Sequence, residues 1–120
     1  MKKYKEIFTV KPEDCISEIS PDLPSLLGTY MLVKWMEIVS AKNINQSIDK
    51  NKYLTVGEQV CIAHTGMVKE GQKVEIVSTI VTEEKREILF EIKAICNKRT
   101  IATATHKRIK IPLKLLEKIV

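Results

Sequence analysis

Three polar residues carry the chemical groups that acyl transfer or hydrolysis requires. Thr29 supplies a hydroxyl, Glu37 a carboxylate and His64 an imidazole. In such chemistry one group attacks or positions water, a second moves protons, and a third orients the base. Each residue alone also has a simpler explanation. Thr29 fits a helix N-cap, Glu37 a solvent-facing position one turn from Lys34, and His64 a structural residue at a strand end.

A helix and a strand must position these three side chains. Thr29 and Glu37 fall on a predicted helix at 29–44, whose apolar residues cover most of the circumference, as is typical of a buried helix. His64 ends an apolar predicted strand. Residues eight apart in a helix lie about 12 Å apart along its axis. Thr29 and Glu37 therefore reach one small substrate only if Thr29 sits at or before the helix start and bends inward.

The rest of the chain predicts strands joined by short breaks. A first strand at 4–10 precedes a proline-rich loop at 11–28, and a polar connection covers 43–58. Four more strands are expected, at 58–66, 72–84, 86–97 and 99–112. The end, 111–120, is a short helix or strand. The short breaks between the last four strands favour an antiparallel meander, because a parallel crossover needs about a dozen residues or more.

This element order predicts an α+β protein in which an antiparallel sheet wraps around one central helix. A chain of 120 residues corresponds to one domain, residues 1–120. The sheet leaves an edge strand, and in small domains an edge strand is commonly paired across a dimer.

Composition indicates a soluble cytoplasmic protein. No apolar run approaches the roughly 20 residues that span a bilayer, and the N-terminus lacks the apolar segment of a signal peptide. The 3 cysteines show no C-x-x-C spacing, which fits reduced thiols. We expect no membrane partner.

The charge and the cysteines suggest two other functions, nucleic-acid binding and metal binding, and neither is expected. A net charge of +5 suggests an anionic partner, but the basic residues are scattered and no aromatic platform accompanies them, so nucleic acid is not expected. Cys61 and His64 offer two metal ligands. The remaining Cys15, Cys96 and His106 have no supporting spacing, so no metal site is expected.

Three segments resemble the hotdog-fold thioesterases, above all the fluoroacetyl-CoA thioesterase branch: "GTYMLVKWME", "VGEQVCIAHTG" and "ATATHKRIKI". That branch has a threonine just before the central helix and a glutamate eight residues later. A glycine then precedes a C-x-x-H-T motif by a fixed offset, and a late T-H-x-R closes the pattern. The resemblance covers roughly residues 20–112. Its functional positions fall here on Thr29, Glu37, Gly57, His64 and Arg108.

The resemblance implies a fold and a reaction. The fold is a curved five-stranded antiparallel sheet around one long helix, working as a homodimer or a dimer of dimers with sites at the interface. The reaction is hydrolysis of an acyl-CoA thioester by Thr29, Glu37 and His64. His64 would be the general base, since an imidazole exchanges protons near neutral pH. Whether Thr29 or Glu37 attacks the acyl carbon, or water is activated instead, stays open.

Two further residues would bind substrate. Gly57 would bring backbone close to the acyl group, which the lack of a Cβ permits. Arg108 would contact the substrate or the carboxylate of the site, the alternative being an exposed strand residue. Coenzyme A enters as part of the substrate, with lysines at a groove mouth attracting its phosphates, and no cofactor is expected.

One departure concerns the acyl group. The fluoroacetyl-specific branch has phenylalanines before its threonine, whereas this chain has "SPDLPSLLGT", with Ser20 and Leu23 near those places and no aromatic. We therefore expect a broader small acyl group. Leu23, Leu26 and Leu27 either line the acyl pocket or hold the loop to the core. The alternative function is a non-catalytic hotdog domain that binds acyl-CoA or another small ligand.

Overall fold

The computed structural model describes residues 1–119 and contains five strands and two α-helices in that range. Two short 3-10 turns, Pro12–Asp14 and Ile16–Glu18, lie in the loop between the first strand and the first helix. In chain order the elements are β1 (Lys3–Thr9), α1 (Thr29–Asn45), β2 (Tyr53–His64), β3 (Lys73–Glu83), β4 (Glu87–Cys96), β5 (Arg99–Pro112) and α2 (Leu113–Ile119). The C-terminal segment is thus a helix as far as residue 119, and residue 120 lies outside the described range.

The five strands form one antiparallel sheet in the order β1-β3-β4-β5-β2. The predicted meander is confirmed for β3, β4 and β5. The tight β4–β5 connection uses Asn97 and Lys98, whose φ angles of 50° and 64° suit the type I′ turn that joins hairpin strands.

The prediction that β2 joins this meander is wrong. β2 pairs with β5 at the sheet edge and not with β3. The connection after β2 makes other bonds: the amides of Thr65 and Gly66 donate to the carbonyl of Ile101, and the carbonyl of Val68 accepts from the amide of Leu27. Because these contacts commit the connection to β5 and the 11–28 loop, it cannot turn back as a hairpin.

The predicted 58–66 strand also starts too late. β2 begins at Tyr53, and the residues from Tyr53 to Gly57 pair with Pro112 to Arg108. Local composition hides this extension because the segment has no alternating apolar pattern. The segment becomes a strand because it pairs with the long strand β5.

The core lies between the sheet and α1. Alternate apolar residues of the strands face this core, since Ile76 on β3 and Ile88, Phe90 and Ile92 on β4 are buried. From the helix side, Trp35 stacks on Phe8 of β1 with 4.8 Å between ring centroids. The concave sheet face and one side of α1 thus bury each other.

The sheet covers only part of α1. Leu32 and Met36 are fully buried, but Val33 is half-buried and Tyr30 and Lys34 are exposed. The expectation of a helix buried nearly all round therefore holds only for the side that faces the sheet. The opposite side carries a stripe of residues at helical spacing that no other part of residues 1–119 covers.

The loop leucines differ in burial. Leu27 is 3% exposed and belongs to the core, Leu26 is half-buried, and Leu23 is 40% exposed. Leu27 therefore holds the loop to the core. Within residues 1–119, no helix is both long and apolar enough to cross a membrane.

Candidate active site

The first residue of α1 meets the last residue of β2. The hydroxyl Oγ1 of Thr29 lies 2.8 Å from Nδ1 of His64, a hydrogen-bond distance. The N-cap prediction for Thr29 is wrong: Gly28 is the N-cap residue and Thr29 is the first helical residue. The Thr29 side chain is free to reach His64 because it does not cap the helix.

The two nitrogens of the His64 ring have different surroundings. Nδ1 is engaged by Thr29, whereas Nε2 is buried and has no hydrogen-bond partner among residues 1–119. A buried ring nitrogen without a partner is costly, so its presence favours a site that a further polar group completes. An imidazole bonded to a hydroxyl can take its proton, or it can activate a water through the other nitrogen.

Glu37 lies eight residues further along α1, in a second cluster. Its carboxylate Oε1 is 3.7 Å from Nη1 of Arg108, and its side chain is 43% exposed. The backbone of Gly57 lies directly beneath this carboxylate, because a Cβ built on Gly57 would collide with Glu37 Oε1 and come within 3.2 Å of His106 Cε1. A larger residue at position 57 would therefore push the Glu37 carboxylate out of its observed position. Next to it, a β-bulge interrupts the pairing of β2 between Gly57 and Gln59.

Arg108 is buried, with 7% of its surface exposed, so it is not an exposed strand residue. Its Nε donates to Thr55 Oγ1 and its Nη2 donates to the Thr55 carbonyl, both at 3.0 Å. Nη1 faces His106 and Glu37. Burial lowers the pKa of Arg108, and the Glu37 carboxylate acts in the opposite direction. The guanidinium thus ties β5 to β2 and directs positive charge at Glu37.

His106 belongs to this cluster and was not among the predicted site residues. It is 1% exposed, and its Nδ1 donates to the carbonyl of Gln59 at 2.9 Å. Burial lowers the pKa of His106, a lowering that the hydrogen bond to Gln59 opposes. The signal was present in the sequence: His106 and Arg108 are two residues apart on one strand and therefore share a face.

The predicted site residues thus fall into two groups. Thr29 and His64 are hydrogen-bonded to each other, and Glu37, Gly57 and Arg108 are in contact. Among residues 1–119, no hydrogen bond or ion pair joins one group to the other. Thr29 and Glu37 are eight positions apart on the helix, about 12 Å along its axis.

A shallow groove of about 410 Å³ runs along the uncovered side of α1 beside Glu37 and Arg108. Its other walls are Tyr30, Val33, Lys34, Ile38 and Ala41. No group of three or more potential metal-binding side chains occurs within the part of the chain described. Cys61 and His64, three apart on β2, point to opposite faces of the sheet.

One helix against a five-stranded antiparallel sheet in this order defines the hotdog fold. Solved structures with this architecture include a point mutant of the fluoroacetyl-CoA-specific thioesterase FlK, with TM-score 0.87, 20% identity, and coverage of 99% of this chain and 92% of FlK. A Thermus thermophilus hypothetical protein described as a thioesterase superfamily member has TM-score 0.88 and 20% identity over 98% of this chain and 86% of its own. A hot-dog-like protein from Thermanaerovibrio acidaminovorans has TM-score 0.88 and 18% identity over 97% and 85% of the two chains.

The family model of the fluoroacetyl-CoA-specific thioesterases matches residues 10–114. The chain belongs to this family and is an acyl-CoA thioesterase. No curated protein sequence matches it significantly.

Proposed function

We propose that the protein hydrolyses a small acyl-CoA to the free acid and coenzyme A at a site formed by Thr29, Glu37 and His64 between two protomers. The observation that carries this proposal is the 2.8 Å contact between Thr29 Oγ1 and His64 Nδ1, together with the buried, unpartnered Nε2 of the same ring within residues 1–119. A hydroxyl–imidazole pair with one nitrogen left for another group is suited to proton transfer during acyl transfer.

His64 is the general base in this proposal. If the Thr29 hydroxyl or a water attacks, His64 takes the proton of that oxygen. If the Glu37 carboxylate attacks, there is no proton to take, and His64 deprotonates the water that hydrolyses the resulting anhydride; an ester on Thr29 is hydrolysed by water in the same way. In each case the thioester C–S bond breaks and the CoA thiolate receives a proton as it leaves. Overall, one water is consumed, and one carboxylic acid and one thiol are formed. Attack by Thr29, attack by Glu37 and attack by an activated water all satisfy this overall balance.

A second protomer would complete the site. No carboxylate among residues 1–119 makes a hydrogen bond or ion pair with the Thr29–His64 pair, and Glu37 lies on the side of α1 that the sheet leaves uncovered. The neighbouring strand β2 is a sheet edge with unpaired backbone groups, and such edges favour pairing with another strand. A two-fold dimer joined along β2 and α1 would set Glu37 of one protomer toward His64 of the other.

The proposed substrate carries a small acyl group without a strict requirement for fluoroacetyl. A point mutant of FlK has been solved in complex with fluoroacetate and CoA. This chain has no aromatic residue between Ser20 and Thr29, and Leu23 in that stretch is 40% exposed. Without an aromatic lining, acetyl and slightly longer chains would be accepted together. Coenzyme A enters only as part of the substrate, and no cofactor is needed.

The test is release of CoA thiol from a panel of short, long and aryl acyl-CoAs by wild type and His64→Ala. We expect turnover on short acyl-CoAs and a loss of about 10²- to 10⁴-fold in kcat for the folded variant, the range of a general base. Turnover equal to wild type in His64→Ala would contradict the assigned site. A folded wild type inactive on the whole panel would favour a ligand-binding domain, and bound acyl-CoA would then be sought by calorimetry.

A further inference from the structure

His106 is held between a group that can only accept a hydrogen bond and a group that can only donate one. Its Nδ1 lies 2.9 Å from the Gln59 carbonyl oxygen, and its Nε2 lies 3.3 Å from Nη1 of Arg108. A carbonyl has no proton and a guanidinium has no lone pair to offer. The proton of the neutral ring must therefore sit on Nδ1, and Nε2 must accept from Arg108.

We propose that His106 is a positioning residue for the thioesterase reaction: as an Nδ1–H imidazole it anchors the guanidinium of Arg108 beneath Glu37. This inference rests on the proposed function, in which Glu37 belongs to the site. Within residues 1–119, no hydrogen bond or ion pair joins His106 to Glu37 directly. It acts through Nη1 of Arg108, the atom that also lies 3.7 Å from Glu37 Oε1.

The surroundings of the His106 ring support this role. Phe90 of β4 stacks on it with 5.6 Å between ring centroids, which fixes the ring plane. The β-bulge between Gly57 and Gln59 lies at the strand segment that supplies the carbonyl partner, and bulges commonly redirect groups next to active sites. An apolar ring would pack as well but would leave a buried guanidinium donor and a carbonyl without partners.

Protonation of His106 would undo the arrangement. The charged groups that face the ring are Arg108 on its own strand and Glu37 on α1. A proton on Nε2 would remove the acceptor that Arg108 uses and place two cations side by side. The lowered pKa of His106, caused first by burial, favours the neutral ring that this arrangement requires.

Three substitutions separate anchoring from packing. His106→Phe removes both hydrogen bonds and keeps the aromatic ring, His106→Asn retains a donor near Nδ1, and His106→Gln places an acceptor near Nε2. We expect kcat to fall about ten- to a hundredfold in the Phe and Asn variants, as for misplaced catalytic groups, and less than fivefold in the Gln variant. Ile76→Ala, a buried change on β3 away from the site, controls for lost stability and should leave kcat within about twofold.

A double-mutant cycle tests whether His106 acts through Arg108. In an Arg108→Lys background, His106→Phe should reduce kcat by less than about threefold, because residues that act as one unit are not additive. Additive losses, or a His106→Phe enzyme with wild-type kcat, would overturn the inference.

Nitrogen NMR of the wild type and of His106→Phe tests the inference without a measurement of turnover. We expect His106 Nδ1 to be protonated and Nε2 to be unprotonated, and the Arg108 Nη1–H signals, which report the bond to His106, to broaden in His106→Phe. A protonated Nε2, or an unchanged Arg108 signal, would overturn the anchoring role. If the wild type hydrolyses no acyl-CoA, the proposed function fails, and the anchoring of Arg108 is then accepted or rejected on these signals alone.

Discussion

At the scale of single residues, the hydroxyl of Thr29 is the group whose role is most easily isolated. Thr29→Val keeps the side-chain shape and removes the oxygen that lies 2.8 Å from His64 Nδ1. We expect kcat to fall by about a hundredfold or more, whereas Thr29→Ser, which keeps the hydroxyl, should remain within about tenfold of wild type. Thiol-release kinetics on acetyl-CoA measure both. Equal activity in the Val and Ser variants would show that the hydroxyl takes no part.

Residue types were enough to select the candidate site residues, but not to predict how they are packed. Thr29, Glu37 and His64 are the residues that a search for acyl-transfer groups selects. The burial of Arg108 and the part played by His106 depend on a strand pairing, β2 with β5, that places Thr55 and Gln59 beside them. No local pattern encodes that pairing, because both partners are distant in sequence.

At the scale of elements, the sequence predicted strands where alternation is clear and failed where it is not. β3, β4 and β5 have bounds within one residue of those predicted. The buried residues of β4 are apolar at period two, and so are those of β3 apart from Ser78, whereas β5 keeps the alternation but buries His106 and Arg108 after Ala104. The first five residues of β2 were assigned to a loop because their composition is mixed. The position of β2 beside β5 was also missed, because a short connection does not by itself make a hairpin.

The uncovered stripe of α1 provides a test of the dimer. Val33 is half-buried and lines the groove beside Glu37. In the proposed two-fold dimer, an arginine at position 33 would lose water in an apolar contact and would face the same arginine of the other protomer. We therefore expect Val33→Arg to shift the protein from dimer toward monomer in sedimentation velocity at micromolar concentration. Asn45→Arg, an exposed change in the last turn of the same helix, should sediment as wild type. A dimeric Val33→Arg protein would place the interface elsewhere.

At the scale of the whole molecule, buried His106 makes stability depend on pH. Its folded-state pKa is lowered, so between that pKa and the unfolded value of about 6.5 the unfolded chain binds more protons. Stability is thus fully present above about pH 6.5 and is lost as the pH falls, by at most about 1.4 kcal/mol per pH unit for this one group. Denaturant unfolding between pH 5 and 7 should show a steeper decline for wild type than for His106→Gln. Parallel curves would contradict the neutral buried ring.

The assembly of the site from two chains is the central claim, and subunit complementation tests it most directly. His64→Ala and Glu37→Gln are purified separately, each expected to be inactive, and then mixed under conditions that exchange subunits. In a shared site, every mixed dimer contains one site with both residues intact, so random exchange should restore about a quarter of wild-type thiol release. Activity that stays at the level of the separate variants, with exchange verified by mass, would contradict a site shared between protomers.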